Sequence, residues 1–164
     1  MTKEQRNGFG EERQKEITNA EILELCTRSH EIWRRARKQN NAETFEPKFK
    51  KTSDPVWIEQ HGGKTEVDIA NTSFQELPLD WQRETMASFE IAFAKVETAV
   101  KEGIALDDFF IESVSAIIHD EWLKRNSHKN SLKEQKKPYS ELSDAEKEKD
   151  RKFVRLAIEH FTNS

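Results

Sequence analysis

Two histidine and tryptophan pairs carry the side chains best suited to chemistry in this sequence. His30 precedes Trp33 by three positions, and His119 precedes Trp122 by the same spacing. On a helix this spacing puts both rings on one face, where an imidazole can bind a ligand and an indole can stack on a base. In the alternative interpretation each Trp fills a core and each His hydrogen-bonds a neighbouring loop carbonyl. The candidates for stacking are Trp33, Trp57, Trp81 and Trp122.

Four arginines lie close in sequence to these motifs or to the charged helix that follows the second one. A guanidinium can hold phosphate oxygens with a two-pronged fork that lysine cannot reproduce, so a phosphate-bearing ligand would use them. The alternative is that they form surface ion pairs with the abundant Glu residues, each worth about 0 to 1 kcal/mol. They are Arg34, Arg37, Arg125 and Arg151.

An enzyme is the less favoured interpretation. His119 beside Asp120, Glu121 or Asp150 offers acid–base chemistry, so an enzyme acting on a nucleotide stays open as an alternative. The sequence lacks the zinc-protease pattern His-Glu-x-x-His, the nucleophile elbow Gly-x-Ser-x-Gly and the phosphate-binding loop of P-loop proteins. Cys26 is the single cysteine and cannot build a structural zinc site. We therefore expect no metal and no cofactor.

The composition predicts a small intracellular protein. Of the 164 residues, 34% are hydrophobic and 35% charged, and the net charge is -4, so we expect no DNA partner and no attraction to anionic membranes. No apolar run approaches the roughly 20 residues that span a bilayer. A lone cysteine fits the reducing cytoplasm, which is the expected location. The sequence does not predict the oligomeric state. The two candidate partners are a small anionic, nucleotide-like ligand and another protein.

Local signals predict a mainly α fold with four main helices. We expect a flexible tail over residues 1–17, a first helix from the capping box at residues 18–21, and an ordered loop over 41–73 with short β-strands or a hairpin. Pro78 and Gly103 bracket the second helix, Asp107 starts the third, and a capping box at 143–146 starts the fourth. The expected buried faces are Ile22, Leu25, Cys26, Ile32, Trp33 and Ala36 in the first helix, Phe89, Ala92, Phe93, Val96 and Val100 in the second, Phe110, Val114, Ile117, Ile118 and Trp122 in the third, and Val154, Ala157, Ile158 and Phe161 in the fourth.

The two halves look like copies of one helix-loop-helix unit. Residues 30–37 align with 119–126, and Phe74-Gln75-Glu76-Leu77 aligns with Tyr139-Ser140-Glu141-Leu142, in the same order. We predict a divergent repeat 1 over 18–103, with a loop insertion at 41–73, and a repeat 2 over 104–164. The two are expected to pack about a pseudo-twofold axis into one compact domain, with a ligand groove between them.

The second half resembles the repeat domain named after ryanodine receptors, which also occurs in bacterial and phage proteins. The resemblance rests on His119-Asp-Glu-Trp122-Leu-Lys-Arg125, on the lysine-rich loop ending in Pro138-Tyr139-Ser140-Glu141-Leu142, and on the charged helix start that contains Asp150-Arg151. The first half has Thr85 and Met86 where the second has Asp150 and Arg151.

This resemblance implies a paired, mostly helical unit and a ligand-binding or sensor role for nucleotide-derived signals. Such a role would use a small anionic ligand, and the alternative is a protein-interaction or scaffolding domain without one. The residues assigned to the ligand site are His30, Trp33, Arg34, Arg37, Trp57, Trp81, His119, Trp122, Arg125, Tyr139, Asp150 and Arg151.

Overall fold

The computed structural model describes residues 3–126 and 136–163 of the chain. The elements in chain order are α1 Lys3–Ala36, β1 Phe49–Lys51, α2 Pro55–Gln60, β2 Glu66–Asp68, α3 Leu79–Glu102, α4 Asp108–Asn126 and α5 Asp144–Thr162. Single 3₁₀ turns lie at Ile69–Asn71, Phe74–Glu76 and Tyr139–Glu141. The prediction of a mainly α fold with four main helices and short strands in a loop is confirmed for this part of the chain.

Contacts divide the chain into two compact units, which we call unit 1 (residues 1–82) and unit 2 (residues 83–164). The division falls inside α3 and therefore does not coincide with the predicted repeat boundary at 103/104. The units are defined by contacts and the repeats by sequence duplication, so the repeats stay a prediction.

Helix α1 starts at Lys3, and the predicted helix start at Thr18 is wrong. Residues 3–16 are rich in Glu, Gln, Arg and Lys, which are good helix formers, and this preference outweighs Gly8 and Gly10. The side chains of residues 10–17 are all exposed, so packing contributes little to this stretch. The predicted mobility of residues 1–17 stays a prediction.

Unit 1 contains a small two-stranded sheet, whose strands lie between α1 and α3 in the sequence. Strands β1 and β2 run antiparallel with Lys50 opposite Val67, and α2 lies between them in sequence. Asp54 caps α2, since its Oδ1 accepts the N–H groups of Val56 and Trp57. Its Oδ2 accepts the N–H of Leu79 at 2.9 Å, at the first residue of α3. One carboxylate therefore sets the start of two helices.

Unit 2 is a three-helix assembly of α3, α4 and α5. The predicted caps are confirmed: Gly103 ends α3 with a φ of 68°, Asp107 accepts the N–H of Phe110, and Ser143 accepts the N–H of Glu146. Phe89 packs edge-on against Phe153 with ring centroids 4.9 Å apart. The buried core of the three helices consists of Ala92, Val96, Val114, Ile118, Val154 and Ala157.

Four residues expected on buried faces are exposed instead, and one of them is Ala36, the last residue of α1. Ile32 is 51% exposed, Val100 46% and Ile117 37%. One residue turns a helix by about 100°, so a residue next to a buried position can already face outward when the contact stripe is narrow.

The described helices include none with the length and apolar character needed to cross a membrane.

Candidate functional site

His30 fastens a loop to α1 in unit 1. Its Nε2 lies 2.8 Å from the carbonyl oxygen of Thr72, and because a carbonyl only accepts, Nε2 carries the hydrogen. The ring stacks on Trp33 with centroids 5.7 Å apart and meets Phe74 edge-on. Burial lowers the pKa of His30 below its ordinary 6.5, so the ring is neutral at pH 7.

His119 repeats this arrangement in unit 2. Its Nε2 donates to the carbonyl of Lys137 at 2.7 Å, and its ring stacks on Trp122 with centroids 5.8 Å apart. Tyr139, whose ring centroid lies 6.4 Å from that of His119, takes the place that Phe74 has in unit 1. In both units the accepting carbonyl lies two residues before the aromatic residue that opens a 3₁₀ turn. The two sites are thus built to one local pattern, and in both the histidine bonds a loop carbonyl.

His119 has a largely buried acid beside its ring. Asp150 Oδ2 lies 3.5 Å from Nδ1 of His119, whose side chain is 6% exposed. Burial raises the pKa of Asp150 to about 6, while the nearby imidazole acts in the opposite direction. Among the three acids that the sequence offered, the contact is with Asp150. Since both ring nitrogens are engaged inside the protein, His119 has none left to exchange a proton with a substrate, which weighs against the enzyme alternative.

Arg151 lies among carboxylates. Its Nε donates to Glu112 Oε1, and its other nitrogens lie 3.4 Å from Glu148 and 3.5 Å from Asp144. Glu112 also accepts the hydroxyl of Tyr139 at 2.8 Å. The hydrogen bond from Arg151 is the main cause that lowers the pKa of Glu112. This guanidinium is neutralised within unit 2, and a phosphate would have to replace its present partners.

Arg125 is likewise paired. Its Nε and Nη2 lie 3.2 and 3.3 Å from the two oxygens of Glu84, the two-pronged geometry that a phosphate would also use. The side-chain amide of Asn126 donates to the same carboxylate. Both arginines assigned to the ligand site in unit 2 thus have carboxylate partners.

Arg34 and Arg37 in unit 1 have a different set of partners. Arg34 donates from Nε to the carbonyl of Ala70 at 2.8 Å and forms an ion pair with Glu31. Arg37 donates to two backbone carbonyls, of Glu46 at 2.9 Å and Pro47 at 3.2 Å. Its guanidinium lies 5.1 Å from the ring centroid of Trp33. Within residues 3–126 and 136–163 no carboxylate forms an ion pair with Arg37, which is therefore a fixed cation with neutral partners.

Trp57 and Trp81 contact residues of the 41–73 segment in unit 1. Trp57 is 8% exposed and stacks on His61 with ring centroids 4.0 Å apart. Trp81 donates from Nε1 to the carbonyl of Lys51 at 2.9 Å. Neither indole has a described ring contact with His30 or Trp33, and both have structural partners of their own.

The charge partners and the loop carbonyls of these sites are not among the residues predicted from sequence. Glu84 and Glu112 carry no sequence signal, because 31 acidic residues compete for the same arginines. The carbonyls of Thr72 and Lys137 could have been found, since both lie two positions before the aligned aromatic residue. In the described part of the chain, no three His, Cys, Asp or Glu side chains gather in a way that could hold a metal ion.

No family model, no curated protein and no solved structure matches this chain. The resemblance to ryanodine-receptor repeats therefore stays a prediction.

Proposed function

We propose that this chain is a non-enzymatic binding module for a small anionic, nucleotide-like ligand, and that the C-terminal end of α1 in unit 1 provides the anion site. The observation that carries the proposal is the fixed guanidinium of Arg37, held by two carbonyls and by Trp33. An arginine oriented without a carboxylate can accept an anion and lose no ion pair. Its side chain is already ordered, so binding costs less conformational entropy.

The local charge favours an anion at this position. Arg35 and Lys38 are exposed on either side of Arg37 and add two cations. The carbonyl end of α1 opposes an anion by about 0.3 to 1 kcal/mol. A hydrogen bond to a charged group contributes about 1.5 to 3 kcal/mol, so one arginine–phosphate contact already exceeds this repulsion.

The place of a base follows from the contacts of Trp33. Its indole is already in contact with His30 and with Arg37, so a ligand's base stacked there would compete with both. We expect the base to stack on the guanidinium plane of Arg37 instead, an arrangement that proteins use for nucleic-acid bases. The ligand-sensing role implied by the ryanodine-receptor resemblance agrees with this proposal.

A thermal-shift panel of nucleotides, dinucleotides and inorganic phosphate tests the proposal on the full chain. A ligand at a hundredfold excess over its Kd adds about 2.7 kcal/mol, which should raise the Tm by roughly 5 to 10 °C. We expect Arg37→Lys to weaken binding tenfold or more, because it keeps the charge and removes the fork. The matched control Arg125→Lys should leave the affinity unchanged. A panel without any shift, or equal losses in the two variants, would contradict the proposal.

A protein-interaction role is the second candidate, and one observation favours it. Phe109 is 81% exposed in the first turn of α4, so a partner that covered its ring would remove a large apolar side chain from water. Sedimentation at rising concentration tests the simplest form, association with a second copy. We would then expect Phe109→Ser to abolish the association, and a monomer at all concentrations would count against it.

A further inference from the structure

The contacts of His119 fix where its protons lie. The carbonyl of Lys137 only accepts, so the 2.7 Å contact requires a hydrogen on Nε2. The other ring nitrogen, Nδ1, faces the carboxyl oxygen of Asp150 at 3.5 Å. If both groups lost their protons at this edge, a lone pair of the imidazole would face a negative carboxylate. The pair therefore needs one more proton, either on Nδ1 or on Oδ2.

We propose that His119 and Asp150 form a proton-dependent clasp, which holds the Lys137–Tyr139 segment on α4 while the pair keeps this proton and loosens it when the proton leaves. Without the proton, neither tautomer of the neutral ring satisfies both contacts. With the hydrogen on Nε2, the lone pair of Nδ1 faces the carboxylate of Asp150. With the hydrogen on Nδ1, the lone pair of Nε2 faces the carbonyl oxygen of Lys137. One of the two contacts is lost in either case. The clasp lies in unit 2 and is independent of the proposed ligand site.

The surroundings of the pair are mixed in charge. Burial is the main cause that raises the pKa of Asp150, and Glu146 adds to it, while Lys149, Lys152 and His119 oppose it. Tyr139 approaches from its 3₁₀ turn, and its pKa is raised, so its hydroxyl stays protonated. On α4, Glu112 is held by Tyr139 and Arg151. None of these groups removes the need for the shared proton.

The sign of the pH dependence follows from these protons. The pKa of Asp150 is raised from 3.8 to about 6, so the folded state binds the proton more tightly than the unfolded state. The stabilisation that unit 2 gains from this proton is fully present below about pH 3.8 and is lost as the pH rises through about 6. Unit 2 should consequently open more readily at pH 8 than at pH 5.5, opposite to the usual loss of stability in acid.

Hydrogen exchange of the full chain at pH 5.5 and pH 8, corrected for intrinsic rates, measures this opening. We expect amides of the Tyr139–Leu142 turn to open about tenfold more often at pH 8. Asp150→Asn should remove this difference, because its amide can donate to Nδ1 at either pH. The matched control Glu148→Gln, which changes an exposed carboxylate on the same helix, should keep the difference.

Two results would overturn the clasp. One is a wild-type opening that does not increase between pH 5.5 and pH 8, and the other is an Asp150→Asn variant with the full wild-type difference. If Asp150→Asn does not fold, Asp150→Thr, which carries the residue aligned at this position in the first half, takes its place. Nitrogen-15 NMR of the histidines, assigned with His119→Gln, adds an independent readout. A ring without hydrogen on Nε2 at pH 5.5 would also contradict the proposal.

Discussion

The two histidine sites share their frame and differ in their charges. In both units an imidazole bonds a loop carbonyl and stacks on the Trp three residues later. In unit 1 burial favours a neutral ring, whereas in unit 2 the ring faces Asp150. The pattern of contacts that positions the loop is the same in both units, and the charged groups around it differ.

Arg37 of unit 1 differs from the other three candidate arginines, since Arg34 of unit 1 also pairs with a carboxylate, that of Glu31. Arg125 and Arg151 in unit 2 pair with carboxylates, while Arg37 in unit 1 is held by carbonyls and an indole. An internal ion pair orders a side chain and cancels its charge, whereas a carbonyl orders it and leaves the charge. The comparison thus separates arginines that stabilise the fold from one that offers its charge to a ligand.

Replacing each histidine by leucine should give the largest difference between the sites. His119→Leu leaves Asp150 buried without the partner that shares its proton, and we expect a loss of about 3 to 5 kcal/mol at pH 5.5, where the pair still holds this proton. His30→Leu removes one hydrogen bond to a carbonyl and should cost about 1 to 3 kcal/mol. Urea unfolding of the two variants measures the difference. Equal losses would show that the acid beside His119 has no energetic role.

Acidification should affect the units in opposite directions. The pKa of His30 is lowered on folding, so the unfolded state binds the extra proton more readily and unit 1 loses stability as the pH falls below about 6.5. Hydrogen exchange of the Phe74–Leu77 turn at pH 5 and pH 7.5 should show more frequent opening at pH 5. His30→Gln, which can still donate to the carbonyl of Thr72, should lack this change. If the turn opened less often in acid, the neutral state of His30 would be wrong.

The smallest expected effect concerns the aromatic residue of each site. Tyr139→Phe makes the second site resemble the first and removes the hydroxyl contact to Glu112, at a cost of about 0.5 to 1.5 kcal/mol. A double-mutant cycle with Glu112→Gln isolates that contact. A coupling energy near zero would mean that Glu112 is held by Arg151 alone.

Sequence predicted the features that depend on neighbours along the chain. The cap at Ser143, the helix end at Gly103 and the short strands all follow from local patterns and are confirmed. The start of α1 was mispredicted because a capping motif at Thr18 also fits within a longer helix.

The charge partners could not be predicted, because they are distant in sequence. Glu84 and Arg125 are 41 residues apart, and Glu112 and Arg151 are 39 apart. With so many carboxylates in the chain, only the packing of the helices decides which of them meets an arginine. The same packing decides which arginine has no carboxylate partner and can offer its charge to a ligand.

The double contact of Asp54 has a consequence for how the first half can change. Its carboxylate caps α2 and also accepts the N–H of Leu79, the first residue of α3. A chain without residues 41–73 would also lose the acceptor for the N–H of Leu79, so this segment takes part in starting α3 and could not be removed without a new cap for that helix.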